Sequence, residues 1–372
     1  MNVQYKELNK KEKIFRLKEI GRSFLKLGFL AFGGPAAHIA MMEDEYVAKR
    51  KWLSQEELVD LMSITHLIPG PNSTELALFI GLKHGGYLGL LLAGLAFILP
   101  AMAITILLAY IYVRYGSLPE LKGIMLGIKP AVIVIILSAL FRMSKLIVTN
   151  KEKIILAILI GIVYFLGISE FMLLLSSGII FSLYLKRKDL PNKPLVIEPV
   201  SLSLIFYIFF KIGAILYGSG YVLLAFLERE LVFKRNLLTM SQLIDSIAIG
   251  EFTPGPVLTT SSFIGYIMHG VFGSIVATFG IFLPSFLVVL VINKFVGKLR
   301  KSEIVAGFLD GVNVASIVLM AFVTVKLGIN SLVSPTTIII FIIVFILKNK
   351  YKLNSGFLVI TSGAVGYVLS LL

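Results

Sequence analysis

The 372-residue chain is too apolar for a water-soluble domain, with 57% hydrophobic and 15% charged residues, which leaves too little polar surface to face water. A net charge of +14 would suggest nucleic acid in a soluble protein. Here Lys and Arg cluster in short connections beside apolar segments, a pattern that sets membrane orientation. Cysteine is absent, which excludes disulfides and thiolate metal sites. We therefore predict a multi-pass protein of the lipid bilayer that binds no nucleic acid.

Apolar segments follow one another along the whole chain, and most are long enough to cross or deeply enter ~30 Å of hydrocarbon. Residues 1–23 precede them and are rich in Lys and Arg, so we predict a cytoplasmic N-terminal segment. The composition predicts an all-α polytopic fold with about 10–12 membrane segments. In chain order they are 24–42, 58–82, 87–113, 123–148, 153–168, 170–185, 201–227, 240–267, 271–296, 303–327, 331–347 and 355–372.

The two halves of the chain are copies of one unit. Residues 24–71 align without gaps with residues 209–256 at 17 identical positions, and the match continues beyond them with single-residue gaps. We predict a first transmembrane repeat at 24–186, a polar hinge at 187–200 and a second repeat at 201–372. Since segment 24–42 has a counterpart in the second copy, it is a retained element and not a cleaved signal.

Internal duplication in a polytopic protein is typical of secondary transporters, whose substrate site lies where the repeats meet. Placing the basic segments 1–23, 142–153, 294–301 and 348–352 in the cytoplasm makes segments 87–113 and 271–296 run in opposite senses. This favours inverted repeats, although the basic hinge fits less well. The Gly123-x-x-x-Gly127 motif allows close helix packing, either within one chain or in a homodimer.

A Pro-Gly-Pro sequence interrupts an apolar segment in both copies, and a second break precedes it. In each copy a capping box, Ser54-x-x-Glu57 or Thr239-x-x-Gln242, starts a helix that the prolines must end. Broken backbone survives at membrane depth only when it is buried in protein or lines a wet cavity. The half-helix that follows would point free N–H groups at an anion. The predicted substrate-binding residues of these breaks are Gly33, Gly34, Pro35, Pro69, Gly70, Pro71, Asn72, Ser73, Thr74, Gly218, Gly220, Pro254, Gly255, Pro256, Thr259 and Thr260. Proline kinks packed against neighbouring helices are the alternative interpretation.

Ionisable residues at membrane depth are costly and are functional hypotheses by default. Position 66 is histidine in one copy, its counterpart is Glu251, and Glu75 corresponds to a threonine. Since burial can move carboxyl and imidazole pKa values toward the working range, the proton-coupling candidates are His66, Glu75, Glu251, Asp60 and Asp245. Lys26 and Lys211 are candidate substrate contacts, and Lys129 and Asp310 lie at similar depth. Polar contacts between helices would explain each of them as well.

Arg50 and Arg235 are equivalent residues in a matched pattern of Glu, Lys and Arg. An interfacial helix with internal ion pairs explains this pattern without a function. In the other interpretation the two arginines attract a dianion at a cavity mouth, because their planar fork matches oxyanion geometry.

The "FLKLGFLAFGGPAAHIAMM" opening, the "VAKRKWLSQEELVDLMSITHLIPGP" block and their echoes in the second half resemble the chromate ion transporter family in its long, two-repeat form. The resemblance covers nearly the whole chain. It implies export of chromate from the cytoplasm across the inner or plasma membrane, driven by protons, with sulfate as a competitor. The motif residues that it carries over are Gly33, Gly34, Pro35, His38, Glu43, Arg50, Trp52, Asp60, Pro69, Gly70, Pro71, Gly218, Gly220, Glu228, Arg235, Asp245, Glu251, Pro254, Gly255 and Pro256.

Other functions are less well supported by the sequence. It lacks His-Glu-x-x-His, a Walker glycine loop and Gly-x-Ser-x-Gly, the signatures of zinc proteolysis, nucleotide hydrolysis and serine hydrolysis. We therefore predict a transporter without cofactor or metal rather than an enzyme. Transport of another inorganic or organic anion, a membrane-embedded enzyme using Asp60 or Asp245 with His66, and a structural protein remain the alternatives.

Overall fold

The computed structural model describes most of the chain, namely residues 5, 8–31, 34–65, 68–116, 118–165, 170–183, 201–216, 223–292, 303–351, 353 and 355–371. All regular structure in this part of the chain is helical, which confirms the all-α prediction. Four helical stretches within it are long and apolar enough to cross a membrane, so the protein has multiple membrane-spanning helices. The predicted hinge at 187–200 lies outside the described residues.

The described helices occur in the same order in both copies. In the first copy they are α1 (Lys10–Leu30), α2 (Pro35–Glu43), α3 (Gln55–Thr65), α4 (Ser73–Tyr115), α5 (Pro119–Ile147), α6 (Lys151–Phe165) and α7 (Glu170–Leu183). In the second copy they are α8 (Leu202–Ile215), α9 (Leu223–Leu227), α10 (Met240–Phe252), α11 (Thr260–Ile292), α12 (Glu303–Ser331), α13 (Pro335–Lys350) and α14 (Ser355–Ser370). A wider π-helical turn extends α2 over Asp44–Lys49 and α9 over Glu228–Phe233.

Both predicted capping boxes are present, which confirms where α3 and α10 begin. The Glu57 amide donates to the Ser54 hydroxyl at 3.1 Å, and the Ser54 amide donates back to the Glu57 carboxylate at 2.9 Å. Thr239 and Gln242 exchange the same two bonds at 3.1 and 2.9 Å. Each box satisfies amide groups that the first helical turn leaves unpaired.

Helix α4 is a hairpin of two helices. Gly86 has a φ of 64° and leaves the helical conformation, and a Cβ built on Gly81 would collide with the carbonyl oxygen of Gly89. Eight residues of straight helix span about 12 Å, so this contact requires the chain to reverse at Gly86. The arm before the turn, 73–85, is about 20 Å long, shorter than the hydrocarbon layer.

Helix α11 repeats this hairpin in the second copy. Gly270 has a φ of 57°, and a Cβ on Gly265 would collide with the carbonyl oxygen of Gly273. In both copies, therefore, the helix that follows Pro-Gly-Pro is a short arm folded back on a longer one.

The chain divides into two compact units. Unit 1 comprises Met1–Tyr110, Ile205–Leu216 and Ile249–Gly297, and unit 2 comprises Ile111–Leu204, Tyr217–Ala248 and Lys298–Leu372. Each unit draws residues from both repeats. The two Pro-Gly-Pro sequences belong to unit 1.

Unit 2 is a helical bundle built around α5 and α12, which pack against α13, α14, α6 and α7. Glycines allow α5 and α14 to approach closely. A Cβ on Gly127 would collide with the carbonyl of Ser362, and one on Gly366 with the backbone of Gly123 and Gly127. The Gly123-x-x-x-Gly127 motif is thus used within the chain.

Candidate functional site

The first Pro-Gly-Pro sequence forms a buried loop between α3 and α4. Helix α3 ends at Thr65 and α4 begins at Ser73. Gly70 has a φ of 137° and Asn72 a φ of 57°, conformations that glycine and asparagine adopt most readily. All residues from Pro69 to Thr74 are buried, and the arm 73–85 starts from the protein interior.

The second Pro-Gly-Pro sequence forms the corresponding loop between α10 and α11. Gly255 has a φ of 95°, and a Cβ there would lie 2.6 Å from that of Ala101. One 3₁₀ turn, Val257–Thr259, leads into α11. The loop and the hydroxyls of Thr259 and Thr260 are buried, and these hydroxyls donate to the carbonyls of Pro256 and Val257 at 2.8 Å.

Each of the two loops donates an equivalent hydrogen bond to the other repeat. The Gly70 amide donates to the carbonyl of Leu216 at 2.6 Å, and the Gly255 amide donates to the carbonyl of Ala31 at 2.7 Å. Ala31 and Leu216 are counterparts in the alignment of the two copies, as are Gly70 and Gly255. Each repeat thus pairs its Pro-Gly-Pro loop with a helix end of the other through equivalent backbone groups.

His38 of α2 connects the end of α1 with the start of α4. This side chain is fully buried, with Nε2 3.0 Å from the Ala31 carbonyl and Nδ1 3.3 Å from the Ser73 hydroxyl. Because a carbonyl only accepts, Nε2 carries the proton and Nδ1 accepts from Ser73. The Ala31 carbonyl therefore receives both His38 and the Gly255 amide. His38 fixes the start of α4 against the end of α1.

Glu75 is the most deeply buried acidic side chain of the first loop, with an exposed fraction of 0%. A Cβ on Gly70 would collide with its carboxyl group, so the two residues are in direct contact. The Ser285 hydroxyl and the backbone of Asn72 face the carboxyl group, but neither carboxylate oxygen makes a hydrogen bond of normal geometry in the described part of the chain. A buried carboxylate without a counter-charge is costly, so this position suits a group that gains and loses a proton.

The other predicted proton-coupling residues lie in different surroundings. Glu251 is buried in the last turn of α10, in unit 1. Asp60 is exposed on α3. Asp245, in unit 2, is buried and receives the Lys129 ammonium at 2.9 Å and the Tyr112 hydroxyl at 2.7 Å.

Arg50 and Arg235 both form ion pairs. Arg50 contacts Glu45 at 2.6 Å and Glu19 at 2.7 Å, and its guanidinium lies 5.3 Å from the Trp52 ring. Partial burial opposes its charge, but the hydrogen bonds and charges of these glutamates raise the pKa of Arg50. It lines a cavity of about 710 Å³ in unit 1.

Arg235, in unit 2, has a side chain that is 8% exposed and lies 3.5 Å from Glu230. Of the two predicted lysines, Lys26 is exposed on α1 and Lys211 is half-buried on α8. Arg235 is therefore held by Glu230 of the turn that precedes it, whereas Arg50 is held both by Glu45 of its own turn and by Glu19 of α1.

Four predicted site residues lie outside the described part of the chain: Gly33, His66, Gly218 and Gly220. Gly34 has a φ of 80° and Pro35 begins α2, so the first break of the first copy is partly described. Ser285 was not predicted, because only the fold brings α11 to Glu75. Its place one residue after Pro284, the proline inside α11, is the signal that could have drawn attention to it.

The chain matches known transporters over nearly its whole length. The family model described as "Chromate transporter" matches twice, at residues 18–182 and 203–367. A chromate transport protein of Cupriavidus metallidurans is 29% identical, covering 95% of this chain and 93% of that protein. A probable chromate transport protein of Synechococcus elongatus is 30% identical, covering 95% and 96%.

An uncharacterized transporter of Methanocaldococcus jannaschii, MJ0718, is 29% identical over 93% of each chain. No solved structure matches. Because two copies of the family model account for most of the sequence, this chain belongs to the chromate transporter family and is a membrane transporter.

Proposed function

We propose that the protein exports chromate across the cell membrane, with sulfate as its competitor, and that protons drive the transport. The observation that carries this proposal is the pair of buried Pro-Gly-Pro loops in unit 1, each hydrogen-bonded to a helix end of the other repeat, with Glu75 against Gly70. Relatives that cover the same length are named chromate transport proteins. Chromate and sulfate are both tetrahedral dianions, so one set of donors suits both.

The anion binds at the N-terminal ends of the two short arms. The first arm begins at Ser73 with Thr74 beside it, and the second begins at Thr260 with Ser261 beside it. The hydroxyls of Thr74 and Ser261 are buried and have no hydrogen-bond partner among the described residues. Unpaired donors next to a positive helix end are suited to an oxyanion. Pro-Gly-Pro supplies the break that places these ends inside the protein.

Each short arm is re-entrant, and the repeats are inverted. The length of 73–85 supports a re-entrant arm, because a helix of about 20 Å cannot cross about 30 Å of hydrocarbon. The exchanged bonds of Gly70 and Gly255 support a twofold relation between the repeats. The distribution of Lys and Arg supports an axis in the membrane plane and a cytoplasmic location of residues 1–23.

The test is uptake of labelled chromate and sulfate by inverted vesicles and by proteoliposomes that contain the purified chain. We expect accumulation that depends on an imposed pH gradient, and each anion should inhibit uptake of the other. Protein shown to be folded that accumulates neither anion would contradict the proposal, and transport of a different anion would then be tested next.

Glu75 is the proposed proton carrier, and Glu75→Gln is the variant that tests it. The amide keeps the size of the carboxyl group but cannot release a proton. We expect anion binding to remain while flux no longer responds to the pH gradient. Glu251→Gln is the parallel variant in the second copy. The matched control is Glu56→Gln on the exposed surface of α3, which should keep normal coupling. Unchanged pH dependence in both Glu75→Gln and Glu251→Gln would contradict proton coupling through these residues.

A further inference from the structure

Unit 2 contains a cavity of about 350 Å³ that the Pro-Gly-Pro loops do not line. It lies where the connection between α4 and α5 meets the first turns of α10 and the junction of α12 with α13. A volume of this size is typical of small-molecule sites. Its polar lining comes mainly from Tyr112, Lys122, Lys129, Asp245 and Ser331.

The charges of this cavity favour an anion. Lys122 is exposed on α5, and Lys129 lies two turns further along the same helix. Asp245, the one carboxylate among the described lining residues, is already held by Lys129 at 2.9 Å and by the Tyr112 hydroxyl at 2.7 Å. Lys129 also donates to the Ser241 hydroxyl at 3.1 Å. The lining groups thus carry a net positive charge.

A buried donor points to the same ligand chemistry. Ser331 is 3% exposed, and its hydroxyl has no hydrogen-bond partner among the residues that the structure describes. A buried hydroxyl without a partner costs free energy, and a ligand oxygen at this wall would satisfy it. Helix α13 starts at Pro335, four residues after Ser331, and Thr337 in its first turn also lines the cavity, which adds the positive end of the helix dipole.

We infer that this cavity binds a tetrahedral oxyanion, and that the anion replaces the Asp245 carboxylate as the partner of Lys129. Lys122 and the Ser331 hydroxyl complete the site. The occupant is either a free inorganic oxyanion or the phosphate of a lipid headgroup. The site lies in unit 2, so its existence does not depend on the Pro-Gly-Pro loops being the transport site.

The first experiment measures binding of labelled sulfate to the purified full-length chain by equilibrium dialysis. Lys122→Gln and Lys129→Gln should each weaken one class of sites about tenfold, because a hydrogen bond to a charged group is lost. Ser331→Ala should weaken the same class by about threefold. Lys151→Gln removes an exposed charge at the start of α6 and should leave binding unchanged. Wild-type affinity in both Lys122→Gln and Lys129→Gln would overturn the inference.

Asp245→Asn should change sulfate affinity in the opposite direction from the lysine variants. Because the amide no longer holds Lys129 by charge, sulfate should bind several-fold more tightly. A purely structural ion pair would instead give weaker or unchanged binding, and that result from folded protein would overturn the proposed exchange of partners. Ser331→Ala keeps the test decisive if Asp245→Asn does not fold.

The source of the oxyanion is distinguished in lipid nanodiscs. If the ligand is a headgroup phosphate, anionic phosphatidylglycerol should compete with sulfate in the wild type, and this competition should disappear in Lys122→Gln. If it is a free anion, sulfate affinity should be the same with phosphatidylglycerol and with phosphatidylcholine. Loss of sulfate flux in proteoliposomes with this binding intact would count against the transport function alone.

Discussion

Gly70 occupies a position that no other residue can take without a local change. Its φ of 137° is a conformation that side chains rarely adopt, and a Cβ would collide with the Glu75 carboxyl group. The residue therefore does two things: it turns the chain inside the protein, and it leaves room for a buried acid. This explains why a membrane segment contains Pro-Gly-Pro followed by a glutamate.

Gly70→Ala should abolish pH-driven transport and lower the free energy of unfolding by about 1–3 kcal/mol, because both backbone strain and a collision are introduced. Adding Glu75→Ala to this variant should recover part of the lost stability by removing the collision. Gly21→Ala is the control, since its Cβ would meet nothing within 4 Å and alanine favours a helix interior by up to about 1 kcal/mol. Thermal unfolding in detergent measures all three. Equal stability of Gly70→Ala and the double variant would contradict the contact.

At the scale of elements, the sequence predicted what is local. The capping boxes at Ser54 and Thr239 were correct because a cap depends on residues three apart. The break at Pro69 was predictable because two prolines around a glycine strongly disfavour a continuous helix. The sequence did not predict the hydrogen bonds of Gly70 and Gly255 or the approach of Ser285 to Glu75. These contacts join residues that are far apart in sequence.

The hairpins of α4 and α11 give a prediction at this scale. Gly89→Ala would press a Cβ on the Gly81 carbonyl, whereas a Cβ at Gly270 would meet nothing within 4 Å. We expect Gly89→Ala to lower the free energy of unfolding by about 1–3 kcal/mol through overpacking. Gly270→Asn should cost less, because asparagine tolerates a positive φ. Thermal melts measure the stability of both variants. A larger loss of stability in Gly270→Asn would show that the turn conformation contributes more to the hairpins than the contact between their arms.

At the scale of the whole molecule, the orientation of the repeats decides how the protein can work. Inverted repeats let one conformation open to the inside and its mirror arrangement open to the outside. The chain offers a direct test, because it contains no cysteine. Thr149 and Val333 are equivalent exposed positions, each two residues before the helix that follows, α6 or α13.

Single variants Thr149→Cys and Val333→Cys should react with a membrane-impermeant maleimide from opposite sides. If the repeats are inverted, as proposed, and the basic segment 142–153 is cytoplasmic, Thr149 faces the cytoplasm and Val333 the outside. In intact cells we therefore expect labelling of Val333→Cys alone, and in inverted vesicles labelling of Thr149→Cys alone. Detergent-solubilised protein is the control, since both cysteines should react there. Labelling of both from the same side would establish parallel repeats, and with parallel repeats the two short arms would enter the membrane from one side only.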